Sequence, residues 1–221
     1  MKLFLFDIDG TLVGTSGAGL RALERAVEEL HGVPGSCAGL RADGKTDPAI
    51  IVELFEKMGR ACGDPDIAAV IERYLEHLAA EVATTERYKV MPGVYAAIDL
   101  LESRQELVGL ATGNVERGAE IKLTRGDLWR RFRFGGYGSD AADRGKLVAR
   151  AIERAEERAG RALDRRDVWV IGDTPRDIAA AHVCGAMAIG VATGPHRPDA
   201  LHEAEVVFET LEEFPAWLDL G

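Results

Sequence analysis

The amino-acid sequence predicts an α/β protein: a doubly wound, mainly parallel sheet with helices on both faces and an inserted α-helical domain. Three observations carry that expectation. From residue 89 onward, short apolar runs alternate with amphipathic helical stretches. Residues 15–88 offer helices and loops only, and a strand-like run stands ahead of them, so the helical block falls between the first strand and the rest of the sheet.

Taken in order, Lys2 to Phe6 (KLFLF) is short, apolar and followed by a turn, as in a strand buried on both faces, and it delivers Asp7 at its carboxyl end. Leu20 to His31 has helical spacing (Leu20, Leu23, Val27, Leu30) and stops at Gly32-Val33-Pro34. A helix from Asp47 to Met58 has Asp47 as its cap and Pro48 at its first position, and a third runs from Pro65 to Val82. Then follow a helix over Gly93 to Ser103, a strand over Leu107 to Ala111, a helix over Val115 to Arg125, a short strand over Phe134 to Tyr137 and a helix over Arg144 to Ala159. The series closes with a strand over Asp167 to Ile171, a helix over Pro175 to Cys184, strands over Met187 to Val191 and Val206 to Phe208, and a C-terminal helix. Gly14, Gly17 and Gly19 on one flank of the block and Pro92 and Gly93 on the other predict hinges. The expected organisation is a core of residues 1–14 and 89–221 and a helical domain of residues 15–88.

Composition narrows the function classes. At 221 residues, 47% hydrophobic and 29% charged, the chain can bury a full core and is no candidate for intrinsic disorder. A formal net charge of -10 repels nucleic-acid backbones and anionic membrane surfaces, so neither is an expected partner; a small molecule is. The same field opposes any anionic ligand, whose site must then be locally positive through a metal ion, a Lys or Arg, or backbone amides. Cys37, Cys62 and Cys184 are odd in number and lack metal-ligand spacing, which points to reduced thiols. The apolar run Leu3 to Phe6 is too short for a signal segment or a membrane span, so a cytoplasmic location is expected; monomer and homodimer both stay open.

Ligands of open α/β sheets bind at the carboxyl ends of the strands, which directs attention to the residues following each apolar run. These are Asp7 and Asp9, then Thr112-Gly113-Asn114, then Asp173-Thr174 with Asp177. Asp7 and Asp9, two apart on an extended segment, face one side and repel unless a cation or proton holds them together; adding Asp173 suits a hard, oxygen-ligated ion such as Mg²⁺. Singly, Asp9-Gly10 reads as a turn and Asp173 as a helix cap, both common; the convergence at separate strand ends favours a site. Thr112 offers a hydroxyl, and Gly113 and Asn114 offer backbone N–H groups at a helix start, an anion-binding arrangement.

The segments FDIDGTL, ATGN and IGDTPRDI resemble, in order, the motifs of the haloacid dehalogenase-like (HAD) superfamily, and the resemblance spans nearly the whole chain, nearest to phosphoglycolate phosphatase-like members. It implies a small α-helical cap in the insertion and a Mg²⁺-dependent phosphomonoesterase acting on a small phosphorylated metabolite. On that resemblance Asp7 is the nucleophile, forming a phosphoaspartate, and Asp9 is the general acid and base, a residue that superfamily dehalogenases lack. Mg²⁺ is then held by Asp7, the Asp9 backbone carbonyl and Asp173, with Asp177 assisting, while Thr112 and the Gly113-Asn114 amides hold the phosphoryl group. The family's Lys-Pro pattern is missing; Gly138 to Lys146 offers Arg144, nearer the helix start, and Lys146 as the catalytic cation, each also readable as a surface charge. In Gly44-Lys45-Thr46-Asp47, which resembles a cap loop of such phosphatases, Lys45 is a candidate substrate contact; the turn and cap reading explains Gly44 and Asp47 but not Lys45. Two other readings stay open: a phosphomutase of the β-phosphoglucomutase type, and a non-enzymatic phosphate-binding or regulatory protein on the same scaffold.

Overall fold

The computed structural model describes residues 1–220. The first strand, β1 (Leu3–Phe6), enters β2 (Val13–Gly14), after which three helices follow: α1 (Ala18–His31), α2 (Asp47–Lys57) and α3 (Asp64–Thr84). The chain returns through β3 (Lys89–Val90), α4 (Val94–Ser103), β4 (Leu107–Ala111), α5 (Glu116–Thr124), β5 (Gly135–Gly136) and α6 (Arg144–Ala159). It ends with β6 (Val168–Gly172), α7 (Pro175–Val183), β7 (Met187–Val191), β8 (Val206–Phe208) and α8 (Phe214–Leu220). Six strands pair in parallel in the order β5-β4-β1-β6-β7-β8. The chain runs outward from β1 through β4 and β5 on one side and through β6, β7 and β8 on the other. Strand order therefore reverses beside β1, which opens a crevice at its carboxyl end.

Strand alternation sets which face each residue of β1 serves. Phe4 and Phe6 join a cluster with α4, α5 and α8, whereas Leu3 and Leu5 join one with α6 and α7; all four are fully buried. Burying side chains of this size is worth roughly 1.5–3 kcal/mol each before ordering entropy. Continued by one residue, the alternation turns Asp7 toward α6 and α7, and that face supplies its partners.

Helices α1, α2 and α3 pack on a third cluster, with Val27, Ile51, Leu54, Val70 and Leu78 at its centre. The flanks of this block, where the glycine and proline punctuation predicts hinges, lie side by side. They pair as an antiparallel two-stranded ribbon, Val13 opposite Val90 and Gly14 opposite Lys89. Val13 and Val90 stand opposite each other where two chains pass side by side, and the Met91 N–H donates across to the Leu12 carbonyl at 2.9 Å. Two local expectations also shift: Phe134 to Tyr137 narrows to Gly135–Gly136 as strand, and Thr46, not Asp47, caps α2 by accepting from the Ala49 N–H. The three cysteines are unpaired, and no described helix is long and apolar enough to cross a membrane.

Candidate active site

Asp7, Asp173 and Asp177 converge at the crevice, with one carboxylate oxygen of each within 4.8 Å of the others, and all three are buried. Short-range chemistry holds each in place. Asp7 donates its N–H to the Ile171 carbonyl, 2.9 Å away, extending the β1–β6 ladder by one step. Asp177 sits in the first turn of α7, where its Oδ2 accepts from the Thr174 N–H at 3.0 Å and the Thr174 hydroxyl at 2.7 Å, a capping box. Thr11 donates its hydroxyl to Asp173 Oδ1 at 3.2 Å. Gly10 has φ of 85°, and a Cβ there would stand 2.3 Å from Asp173 Oδ2, so this turn requires glycine twice over.

One cation answers two of the three acids. Arg144, the first residue of α6, places Nη2 3.0 Å from Asp7 Oδ1 and pairs with Asp177 through the same nitrogen, while its Nη1 donates to the Gly44 carbonyl at 3.1 Å. Burial disfavours the charged guanidinium, but Asp177 and Asp7 together outweigh it and raise its pKa. Burial pushes Asp7 up to about 6 against the opposing pull of Arg144. Asp173, with no ion-pair partner among the described residues, is pushed up to about 9 by burial and by the Asp177 and Asp7 charges. Asp177 Oδ1 accepts no directed hydrogen bond, its close neighbour being the guanidinium. Three buried carboxylates against one Arg form an under-compensated, all-oxygen donor set, which fits a hard divalent cation such as Mg²⁺.

Asp9 faces a different set. Its side chain is 45% exposed toward the cavity, and its Oδ2 accepts from Asn114 Nδ2 at 2.8 Å and Lys122 Nζ at 2.6 Å. Lys122 also donates to Asn114 Oδ1 at 2.6 Å, closing a triangle. Sequence reasoning missed Lys122, although a signal exists: it shares the inward stripe of α5 with Gly118, Ala119 and Leu123 and is only 4% exposed. A lysine on a buried helix stripe needs a partner.

The remaining candidates separate. Thr112 is fully buried behind Asn114, whose Nδ2 donates to the Thr112 hydroxyl at 2.9 Å, and it does not reach the cavity wall. Gly113 and Asn114 do reach it. Gly113 meets the helical block directly: its carbonyl accepts from the Asp47 N–H at 2.8 Å, and a Cβ would stand 2.1 Å from the Lys45 carbonyl. Asp47 Oδ2 in turn accepts from the Val115 N–H at 2.9 Å, and Thr46 donates to the Ala142 carbonyl at 3.0 Å. Residues 44–47 are thereby docked on the core. Lys45 lines the cavity but is ion-paired with Glu53. Lys146 is exposed and lies outside the site, its backbone N–H donating to the Asp143 cap of α6. Two residues past Arg144, a helix has turned by about 200°, which carries that side chain away from the strand ends.

A cavity of about 470 Å³ lies between core and helical block, lined by Asp7, Asp9, Asn114, Lys122, Arg144 and Asp173 on the core side. Fold and site together define a class of α/β protein in which a helical insertion after the first strand closes over a carboxylate centre. The chain belongs to the haloacid dehalogenase-like hydrolase family, whose family model matches residues 1–185. No curated protein matches it. Among solved structures it is similar to a hydrolase from Pseudomonas syringae (21% identity, TM-score 0.75, covering 100% of this chain and 99% of that one). It is also similar to CbbY from Rhodobacter sphaeroides in complex with phosphate (19%, TM-score 0.77, 99% of each chain). A third likeness is to a predicted phosphoglycolate phosphatase from Haemophilus somnus 129pt (15%, TM-score 0.71, 99% and 98%). At these identities the likeness is one of fold.

Proposed function

We propose that the protein is a phosphomonoester hydrolase of a small phosphorylated metabolite, working through a phosphoaspartate on Asp7 under a helical cap formed by residues 15–88. The observation that carries this reading is the division of labour at the end of β1: Asp7 lies against Arg144 and the acidic trio, whereas Asp9 lies against Asn114 and Lys122. Membership of a hydrolase family and the phosphate held by the CbbY structure are consistent with it.

In this mechanism an Asp7 carboxylate oxygen attacks phosphorus and the ester P–O bond breaks, while the departing alkoxide takes a proton from Asp9. Water then gives a proton to Asp9 and attacks the phosphorus of the phosphoaspartate, whose bond to Asp7 breaks, releasing phosphate with Asp7 again a carboxylate and Asp9 again the protonated acid. Arg144 orients Asp7 and meets the developing charge on the phosphoryl oxygens. Asn114 and Lys122 fix Asp9 through Oδ2 and leave Oδ1 for the leaving group. Asp7, Asp173, Asp177 and the Asp9 backbone would hold Mg²⁺, and the chemistry that a bound divalent cation supplies is neutralisation of phosphate charge, so that anion can meet anion. Gly113 and Asn114 border the phosphoryl end.

The test is hydrolysis of p-nitrophenyl phosphate by wild type and Asp7→Asn, each with Mg²⁺ and with EDTA. Turnover that needs both Asp7 and the cation supports the mechanism; turnover surviving in Asp7→Asn sinks it.

A further inference from the structure

The cavity wall on the helical side carries an apolar patch beside polar residues such as Ser16 and Tyr74. Leu20, Leu23, Ile50 and Ile51 line it together with Val13 and Met91 beside the ribbon, and all but Leu20 are buried. The cations that reach the cavity are all engaged. Arg144 is held by Asp7 and Asp177, Lys122 by Asp9 and Asn114, and Lys45 by Glu53. The helical side adds Asp43 and Asp47, carboxylates with no ion pair of their own among the described residues. Burial pushes Asp47 up to about 6 against the opposing pull of Lys122.

Resting on the phosphatase reading above, we infer that the cavity takes phosphate monoesters of uncharged alcohols with an apolar body and discriminates against phosphorylated carboxylic acids such as phosphoglycolate. Each methylene moved from water onto this wall is worth roughly fourfold in binding. A carboxylate placed there loses its hydration without gaining a cation and faces two further acids. Both effects push selectivity the same way.

The experiment compares kcat/KM of the full chain, with Mg²⁺, on p-nitrophenyl, n-hexyl and n-propyl phosphates and on phosphoglycolate. The expected order is hexyl above propyl above phosphoglycolate, with at least about tenfold between first and last. Leu20→Lys, which sets a free cation on the wall at its least buried position, is expected to close that gap by roughly tenfold. Phosphoglycolate turned over as well as hexyl phosphate overturns the inference, as does aryl ester hydrolysis with neither hexyl phosphate nor phosphoglycolate accepted. In both cases aryl activity dependent on Asp7 leaves the phosphatase reading standing. Absence of hydrolysis of every ester removes that reading and this inference with it.

Discussion

Replacing Lys122 by Met keeps the stem that packs on the inner stripe of α5 and removes only the ammonium. That ammonium stands 2.6 Å from Asp9 Oδ2 and 2.6 Å from Asn114 Oδ1, with Lys122 5% and Asp9 45% exposed at their side chains. The pair thus lies between an exposed ion pair, worth about 0.2–1 kcal/mol, and a buried one whose breaking costs about 3–5 kcal/mol. A loss of about 2 kcal/mol follows, or a fall in Tm of about 4–8 °C for a chain this size. Activity separates the positional role from the structural one. General acid catalysis contributes about 10²–10⁴-fold, and Asn114 Nδ2, 2.8 Å from Asp9 Oδ2 in the wild type, is left as its one side-chain donor. Part of that factor is lost, about 10- to 100-fold in kcat/KM on an alkyl phosphate, whose leaving group needs the proton. Nitrophenolate leaves unprotonated, so p-nitrophenyl phosphate should lose less than about threefold. Equal losses on the two esters, in protein shown by circular dichroism to be folded, would refute the assignment of Lys122 to Asp9.

Added MgCl₂ should raise the Tm of the wild type and not that of Asp173→Asn, because the substitution takes the least compensated donor from the acidic trio; an equal rise in both would place the ion elsewhere. Asp47 has a folded pKa of about 6 against an ordinary 3.8, so its ionisation costs stability at high pH, and that cost declines as pH falls from 6 toward 3.8. Asp47→Asn should accordingly be the more stable form at slightly alkaline pH, by on the order of 2 kcal/mol, with an advantage that shrinks in acid; a pH-independent difference in Tm contradicts this. Gly113→Ala drives a Cβ against the Lys45 carbonyl and should raise KM more than it lowers kcat, by loosening the docking of residues 44–47; an unchanged KM argues against that docking.

Asp7, Asp9, Asn114, Asp173 and Asp177 are legible because each follows an apolar run, and the strand-end rule turns sequence order into proximity. Arg144 against Lys146 is decided by helix phase, which needs the true start of α6, and that start coincides with the expected one. Lys122 and Asp47 escape because their partners lie across elements: Lys122 reaches Asp9 from the second turn of α5, and Asp47 reaches Val115 from the helical block. No local spacing encodes such pairs. Thr112 fits the strand-end rule but is turned behind Asn114, which a rule about chain position cannot register. The ribbon is two residues per strand, shorter than any periodicity can reveal.

That ribbon has a mechanical consequence. Asp9 forms a bridge with Val13, the residue that pairs with Val90, and the Gly10 N–H donates to the Val13 carbonyl at 2.9 Å. The acid of the proposed mechanism is therefore mounted on the axle about which the proposed cap would swing. Two strands clamped side by side resist twisting, so a cap that swung on them would return to the same seat at each closure. Whatever lifted such a cap would also pull on Asp9, and the fold itself would then synchronise proton delivery with enclosure of the substrate.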